Sequence, residues 1–366
     1  MNMKLLVKRA SRRIWLLSRP VSRRVQPLIM EYSVRWPWLA NIYYCFDRSY
    51  EREHRATLYG KLCQVRKDGA ASEEGARYRL RRSIHRLEKG LIMRPQREVF
   101  ARDYIGETVD LYASCAAQPQ SNGASDGTKL LNNWAGDVLH RYFDEVGSDP
   151  VINRAREKFQ SAVQLPNGHG SHPGSAAPYR RDSTPLSITI EDMLTLARRR
   201  RSVRWYLPQP VPRELIDNAV RVGAYSPSAC NRQPFEFRIF DEPELVQKVA
   251  SIPLGTKGFY ENFPCVVVLI GKVRAFPFER DRHVIYIDAA LAAMAFQFAL
   301  EVQGVSSCCI NWPDIPERER MMAQTLHLAP DERPVMLISL GFPDPDGQVP
   351  YSQKKPLEEL RSYNQT

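Results

Sequence analysis

Residues 264–312 read PCVVVLIGKVRAFPFERDRHVIYIDAALAAMAFQFALEVQGVSSCCINW. Cys265–Ile270 is an unbroken apolar run, the pattern of a strand covered on both faces. Ile285–Gln303 has the length of a helix and is closed by Gly304, a residue that accepts the left-handed conformation ending many helices. Val305–Ile310 returns to β-rich sequence. Strand, helix, strand implies a sheet with this helix packed on it. Ile285–Gly304 is the most apolar long stretch, but Asp288, Gln297 and Glu301 interrupt it, so a buried helix is expected rather than a membrane span.

The alternation continues on both sides. Thr189, with Asp192 three residues on, is placed to cap a helix through Arg200. Pro212 suits the start of a helix reaching Ala224. Phe235–Phe240 reads as a strand, Pro243–Ser251 and Glu317–Leu326 as helices, and Val335–Leu340 as a last central strand. Residues 31–160 read as helical. Leu80, Ile84, Leu87 and Leu91 stripe Arg77–Met93, with Gly90 and Pro95 marking its end. Two more helices run through Ile105, Val109 and Tyr112, and through Trp134, Val138 and Phe143, either side of a polar loop at 116–129. The expected organisation is a basic amphipathic arm at 1–30, a helical region at 31–164, a Gly/Pro/Ser-rich linker at 165–187, and an α+β domain at 188–366 with a mixed sheet flanked by helices.

A chain of 366 residues, 43% hydrophobic and 25% charged, has material for one large core or two small ones. This excludes a disulfide-stapled mini-protein and a wholly disordered chain. The net charge of +11 sits in the first half: residues 1–180 carry +12 and 181–366 carry −1. Residues 1–30 hold eight Lys/Arg and no acid. Leu6, Ala10, Ile14, Leu17, Val21, Val25 and Leu28 fall on one helical face, broken by Pro20. Such an arm suits an anionic membrane surface, or remains a solvated or partner-packed extension. Trp36, Trp38, Tyr43, Tyr44 and Phe46 follow it, as interface anchors or as core. Basic residues without base-reading or stacking groups speak against nucleic acid. The apolar run Ile14–Leu17 is too short for a signal core. The seven cysteines are odd in number and form no CxxC pair, which argues against a disulfide framework or zinc ribbon and for a cytoplasmic protein, peripheral at the inner membrane face if the arm binds lipid.

Four motifs carry chemistry. Arg199–Arg204 (RRRSVR) gathers guanidiniums and a hydroxyl suited to phosphate, although a solvated basic helix end reads the same way. Ser226–Pro234 (SPSACNRQP) is a proline-stiffened loop whose Ser228, Asn231 and Gln233 can meet the edge of a flat heteroaromatic ring, or simply turn a helix into a strand. Gly304–Trp312 (GVSSCCINW) is a strand running into a loop. Lys354–Leu360 (KKPLEEL) is a second cation source or a solvated tail.

In this order and spacing the four motifs resemble the nitroreductase family of flavoproteins over about 190–360. The family pattern RRSxRxF, PSxxNxQPW, a buried strand, a long helix ending in Gly, and a basic residue before PLE is matched by RRSVRWY, PSACNRQPF, PCVVVLIG, EVQGVSSCCIN and KKPLEEL. The resemblance implies an α+β fold binding FMN at a homodimer interface. It implies that Arg200, Ser202 and Arg204 grip the FMN phosphate and the pyrimidine edge of the flavin. Ser228 and Asn231 would line the flavin, Ile310 and Asn311 would face N5, and Lys354 or Lys355 would meet the phosphate. It further implies ping-pong hydride transfer from NADH or NADPH to a small-molecule acceptor, with no catalytic side-chain acid, base or nucleophile. Trp312 stands where many members have Gly and is expected to narrow the site or stack over the flavin. That motivates an alternative, a flavin-binding regulatory or assembly protein without turnover. Residues 254–262 and 272–283 are the candidate lids. Cys308 and Cys309 should point to opposite faces, one into the core and one toward the flavin.

No metal site is expected. His85 and Glu88 lie one helical turn apart and read as a structural ion pair; His169 and His172 sit in the linker without a specific role. The segment Arg77–Pro95, RYRLRRSIHRLEKGLIMRP, resembles long nitroreductase-like proteins associated with bacterial surface-polysaccharide genes. This implies, as a further alternative, a peripheral membrane-associated role in surface-polysaccharide biosynthesis.

Overall fold

The computed structural model describes residues 30–46, 50–66, 70–117, 126–165, 168 and 176–365. The arm before residue 30, the centre of the polar loop, and most of the first half of the expected linker, with His169 and His172, lie outside the described residues. The chain forms two compact units, Met1–Arg55 and Ala56–Thr366.

In the first unit, helix α1 (Pro37–Phe46) is followed by the start of α2 (Glu51–Val65). Tyr44 packs edge-on against Tyr43 and Tyr50, with centroids 5.1 and 4.9 Å apart, while Trp36 and Trp38 are exposed. In the second unit, α3 (Ala70–Leu91), α4 (Ile105–Ala116), α5 (Asp126–Glu145) and α6 (Pro150–Val163) pack around Leu80, Ile84, Leu87, Tyr112, Leu139 and Tyr142. The stripe read from the sequence is this core. Asp149 caps α6 by accepting from the Val151 N–H at 2.9 Å, with Pro150 at the first helical position.

The C-terminal half adds α7 (Ile190–Arg199), α8 (Arg213–Ala224), β1 (Phe235–Phe240), α9 (Pro243–Ala250), β2 (Cys265–Lys272), α10 (Val284–Val302), β3 (Ser306–Asn311), α11 (Pro316–Leu326), β4 (Glu332–Gly341) and α12 (Leu357–Leu360). The fold class is α+β. The sheet order is β1-β2-β4-β3, and all three pairings are antiparallel. A mixed sheet was the expectation. The difference has a simple origin: β2 and β3 run parallel across the α10 crossover, but β4 inserts between them and opposes both. Among the described residues, the parallel pairing is an isolated bridge between Ser202 and Ser307.

One described helical stretch, Glu279–Val302, is long and apolar enough to cross a membrane. Its helix α10 packs instead against α8 and the sheet, burying Ile285, Ala289, Ala293, Phe296 and Leu300. α3 is tied to the sheet by charge. Arg274 sits between Asp331 (2.7 Å), Glu74 (3.0 Å) and Glu332 (3.2 Å), and Lys272 meets Glu74 at 2.9 Å.

Candidate functional site

The three polar interruptions of α10 each hold an element of the site. Near its start, the Asp288 carboxylate accepts the Ala229 N–H at 3.0 Å and anchors the Ser226–Pro234 loop. One turn and more before its end, Gln297 faces the Ser307 hydroxyl at 3.4 Å. Glu301 accepts from Arg199 Nε at 3.2 Å and from the Ser306 hydroxyl at 3.4 Å. Asp288 is only 3% exposed, and burial pushes its carboxyl above the ordinary range, opposed by the Ala229 N–H and by Arg232. The helix therefore fixes two separate loops at fixed places along one rod.

The first is the Arg200–Arg204 segment. The α7 helix begins with a Thr189–Asp192 capping box and ends at Arg199, delivering the chain to β3. There the Val203 N–H donates to the Ser307 carbonyl at 3.2 Å, next to the Ser202–Ser307 bridge. The result is a cleft of about 310 Å³ at the end of β3, lined by Arg204, Leu254, Gly255, Phe259, Cys308 to Asn311 and Pro313. The Arg204 guanidinium lies 5.8 Å from the Phe259 ring centroid and donates to the Ser202 carbonyl at 3.3 Å. Burial pushes the Cys308 thiol up, opposed by Arg204, the Ser202 side chain and Arg200. Arg204, Ile310 and Asn311 are thus brought together, while Arg200 and Ser202 lie on the same segment outside the lining of this cleft. Leu254, Gly255 and Phe259 from the first candidate lid join them. Cys308 is buried and Cys309 exposed, the opposite faces expected.

The second is the Ser226–Pro234 loop. Cys230, Asn231 and Gln233 adopt left-handed backbone, with φ of 55°, 51° and 52°. The Ser228 hydroxyl accepts the Gln233 N–H at 3.1 Å and locks the turn. Ser228 and Asn231 line a cleft of about 890 Å³ with Gln233, Tyr225, Arg221 and His85. This is not the cleft of Arg204. Asp288 and Glu301 are thirteen residues apart on one helix, which separates the two loop anchors by roughly 20 Å.

One expectation is corrected. Trp312 does not stand over either cleft: it is 8% exposed, and its Nε1–H donates to buried Glu319 at 2.6 Å. An indole in the core with its N–H satisfied leaves the entrance to its neighbours Asn311 and Pro313. Lys354 and Lys355 are exposed and line neither of these two clefts of the single chain, and Lys355 pairs with Glu359 at 3.3 Å. The sequence reading gave His85 only a structural ion pair with Glu88 and did not single out Arg221. A lone acid in an apolar helix, such as Asp288, is the signal that would have tied α10 to the loop.

The donor set of the β3 cleft is the Arg204 guanidinium, the Asn311 amide and strand-end backbone, beside the Phe259 ring. It fits a flat heteroaromatic molecule carrying a phosphate.

The chain is 24% identical over 191 residues to the iodotyrosine deiodinase of Nematostella vectensis, covering 44% of this chain and 71% of the relative. To human iodotyrosine deiodinase 1 it is 22% identical over 255 residues, covering 62% and 84%. Among solved structures, an FMN-dependent nitroreductase from Clostridium difficile R20291 matches at 20% identity and TM-score 0.41, covering 48% of this chain and all of that one. A nitroreductase-family protein from Streptococcus pneumoniae matches at 19% and 0.41, covering 47% and 99%. The model of the nitroreductase family matches residues 197–342, from the Arg200 segment through the Ser226–Pro234 loop and α10 to the end of β4. That stretch of the chain is what is similar to the nitroreductase family.

Proposed function

We propose that the protein is an FMN-dependent oxidoreductase that takes electrons from NADH or NADPH and passes them to a small-molecule acceptor. The observation that supports this reading is the β3 cleft, in which Arg204 shares one wall with the Ile310–Asn311 strand end beside Phe259. When bound, FMN supplies two-electron hydride chemistry at N5, first as acceptor and then as donor. The chain's own residues bind and orient. Arg200 and Ser202 hold the phosphate, and Arg204 offers positive charge where the reduced ring is anionic. The backbone at Ile310–Asn311 faces the ring, and Ser228 and Asn231 line it.

Two half-sites roughly 20 Å apart on α10 call for a second copy of the chain. α10 also presents Ile287, Leu291 and Met294, spaced one turn apart and exposed, as the face for it. A homodimer brings the Arg204 cleft of one copy to the Ser228 loop of the other. Leu291→Asp then yields a monomer with low flavin content, read by light scattering and absorbance. A monomeric wild-type protein with full flavin content would rule this out.

The deciding experiment is the visible spectrum of the purified protein, before and after anaerobic NADH or NADPH. A flavin spectrum that bleaches supports the reading, and protein colourless even with added FMN refutes it. Arg200→Ala and Ser202→Ala lower flavin content if the phosphate grip is right. The relatives' name favours halogenated phenols beside nitroaromatics in the acceptor screen, and iodide release from 3-iodotyrosine tests it. The reading without turnover loses its motive with Trp312 in the core. The localisation we infer is cytoplasmic, peripheral at an anionic membrane through residues 1–30. Salt-sensitive binding to phosphatidylserine vesicles, lost on deleting the arm, supports it.

A further inference from the structure

The larger cleft has a wall that the family match does not cover. His85 belongs to α3, more than a hundred residues before residue 197, yet it lines this cleft beside Ser228, Asn231 and Gln233 because α3 packs on the Ala229–Asn231 turn. The imidazole is held from behind. Its Nδ1 lies 3.2 Å from one Glu88 oxygen, and the other Glu88 oxygen accepts Trp134 Nε1–H at 2.9 Å. A carboxylate pinned by an indole fixes the ring through Nδ1 and leaves Nε2 as its remaining polar atom on the cleft wall. Arg221 stands on the same cleft from α8. Buried Arg232 stacks 4.7 Å over Phe276, and its Nε has no hydrogen-bond partner among the described residues. The cleft lining carries hydroxyls, amides, one guanidinium and one imidazole, and no carboxylate. Tyr225 and Pro227 add flat apolar surface.

We propose that His85 and Arg221 form an oxyanion site for an aromatic ligand of this cleft, so that the helical half supplies a specificity-determining residue to the oxidoreductase. The inference rests on the flavin reading for the role of the neighbouring loop. The oxyanion has two possible sources, the carboxylate of an acceptor or the phosphate of FMN, and two comparisons separate them.

Full-length protein is titrated calorimetrically with 4-nitrobenzoate and with 4-nitrobenzyl alcohol, and separately with FMN and riboflavin. Wild type, His85→Gln, Glu88→Gln and Arg221→Gln are compared, with flavin content read from absorbance. Losing a charge-assisted hydrogen bond costs about tenfold in Kd. If the acceptor supplies the anion, His85→Gln and Arg221→Gln weaken 4-nitrobenzoate by that factor and leave the alcohol unchanged. If FMN supplies it, FMN weakens and riboflavin does not. Glu88→Gln shows a smaller loss in the same arm. Exposed Arg221 serves as the control should substitution of His85 disturb the fold. Charged and uncharged probes responding alike in every variant overturns the oxyanion site, while normal flavin content and bleaching in that case leave the flavin reading standing. His85-dependent binding of 4-nitrobenzoate by protein that takes up no flavin supports the site and removes the flavin reading.

Discussion

Asp288 shows how one residue links stability to the site. Its carboxylate is buried at the start of α10 and spends one oxygen on the Ala229 N–H. Burial raises its pKa in the folded state, so the folded protein holds this proton more tightly than the unfolded chain does. The stabilisation is complete below the ordinary carboxylate value and is lost as pH rises through the raised one. Asp288→Asn keeps an oxygen to accept from Ala229 and removes the titration. Urea melts from pH 3.5 to 7 are expected to show wild type losing stability relative to Asp288→Asn across that window. The variant is expected to lack this component; equal slopes in both would count against it. The sequence displayed Asp288, Gln297 and Glu301 as interruptions of an apolar helix. It could not display their partners, because Ala229, Ser307 and Arg199 reach them only through tertiary packing.

Elements were legible where the signal is local. The Thr189–Asp192 pair forms the capping box of α7, and β1 has the bounds read from its six residues. α7 buries none of its residues, so its stability leans on that cap and on the Arg199–Glu301 pair. Thr189→Ala is expected to cost about 1 kcal/mol. Hydrogen exchange would register this first in α7, together with weaker flavin retention, because α7 leads directly into Arg200. Gly90 was legible as a position but not as a reason. α3 continues past it to Leu91, and a Cβ at Gly90 would lie 2.6 Å from Cδ2 of the Phe100 ring. Gly90→Ala is therefore expected to destabilise by about 1–3 kcal/mol through overpacking, although alanine favours helix. A stabilised variant in thermal melts would contradict this. Strand order was not legible. The placement of β4 between β2 and β3 depends on pairings across α10 and α11, for which neither spacing nor composition leaves a mark.

At the scale of the whole molecule, the question is whether the helical half and the sheet behave as one body. The Gly/Pro/Ser-rich stretch at 165–187 suggested a boundary, yet Ala56–Thr366 forms one compact unit. The charge cluster accounts for the cohesion. Asp331 is fully buried and takes two hydrogen bonds from the Arg274 side chain, at 2.8 and 2.7 Å, plus the Arg274 backbone N–H at 2.9 Å. The same guanidinium reaches Glu74 on α3, and Lys272 on β2 joins Glu74 to Glu236. Opposing carboxylates hold the Arg274 pKa above its ordinary value despite burial, so the cation persists at every pH at which the protein folds. Removing one partner of such a buried pair strands the other, at a cost of about 3–5 kcal/mol. Asp331→Asn is expected to lose that much. Glu74→Gln is partly exposed and keeps a hydrogen-bonding side chain, so it should lose roughly 1 kcal/mol. Because α3 also carries His85, Glu74→Gln should loosen the larger cleft without touching its lining. Wild type should unfold in one transition, with tryptophan fluorescence and far-ultraviolet dichroism coincident. Two separated transitions, with Asp331→Asn moving only the later one, would mean that the helical half folds on its own and meets the sheet as a separate domain.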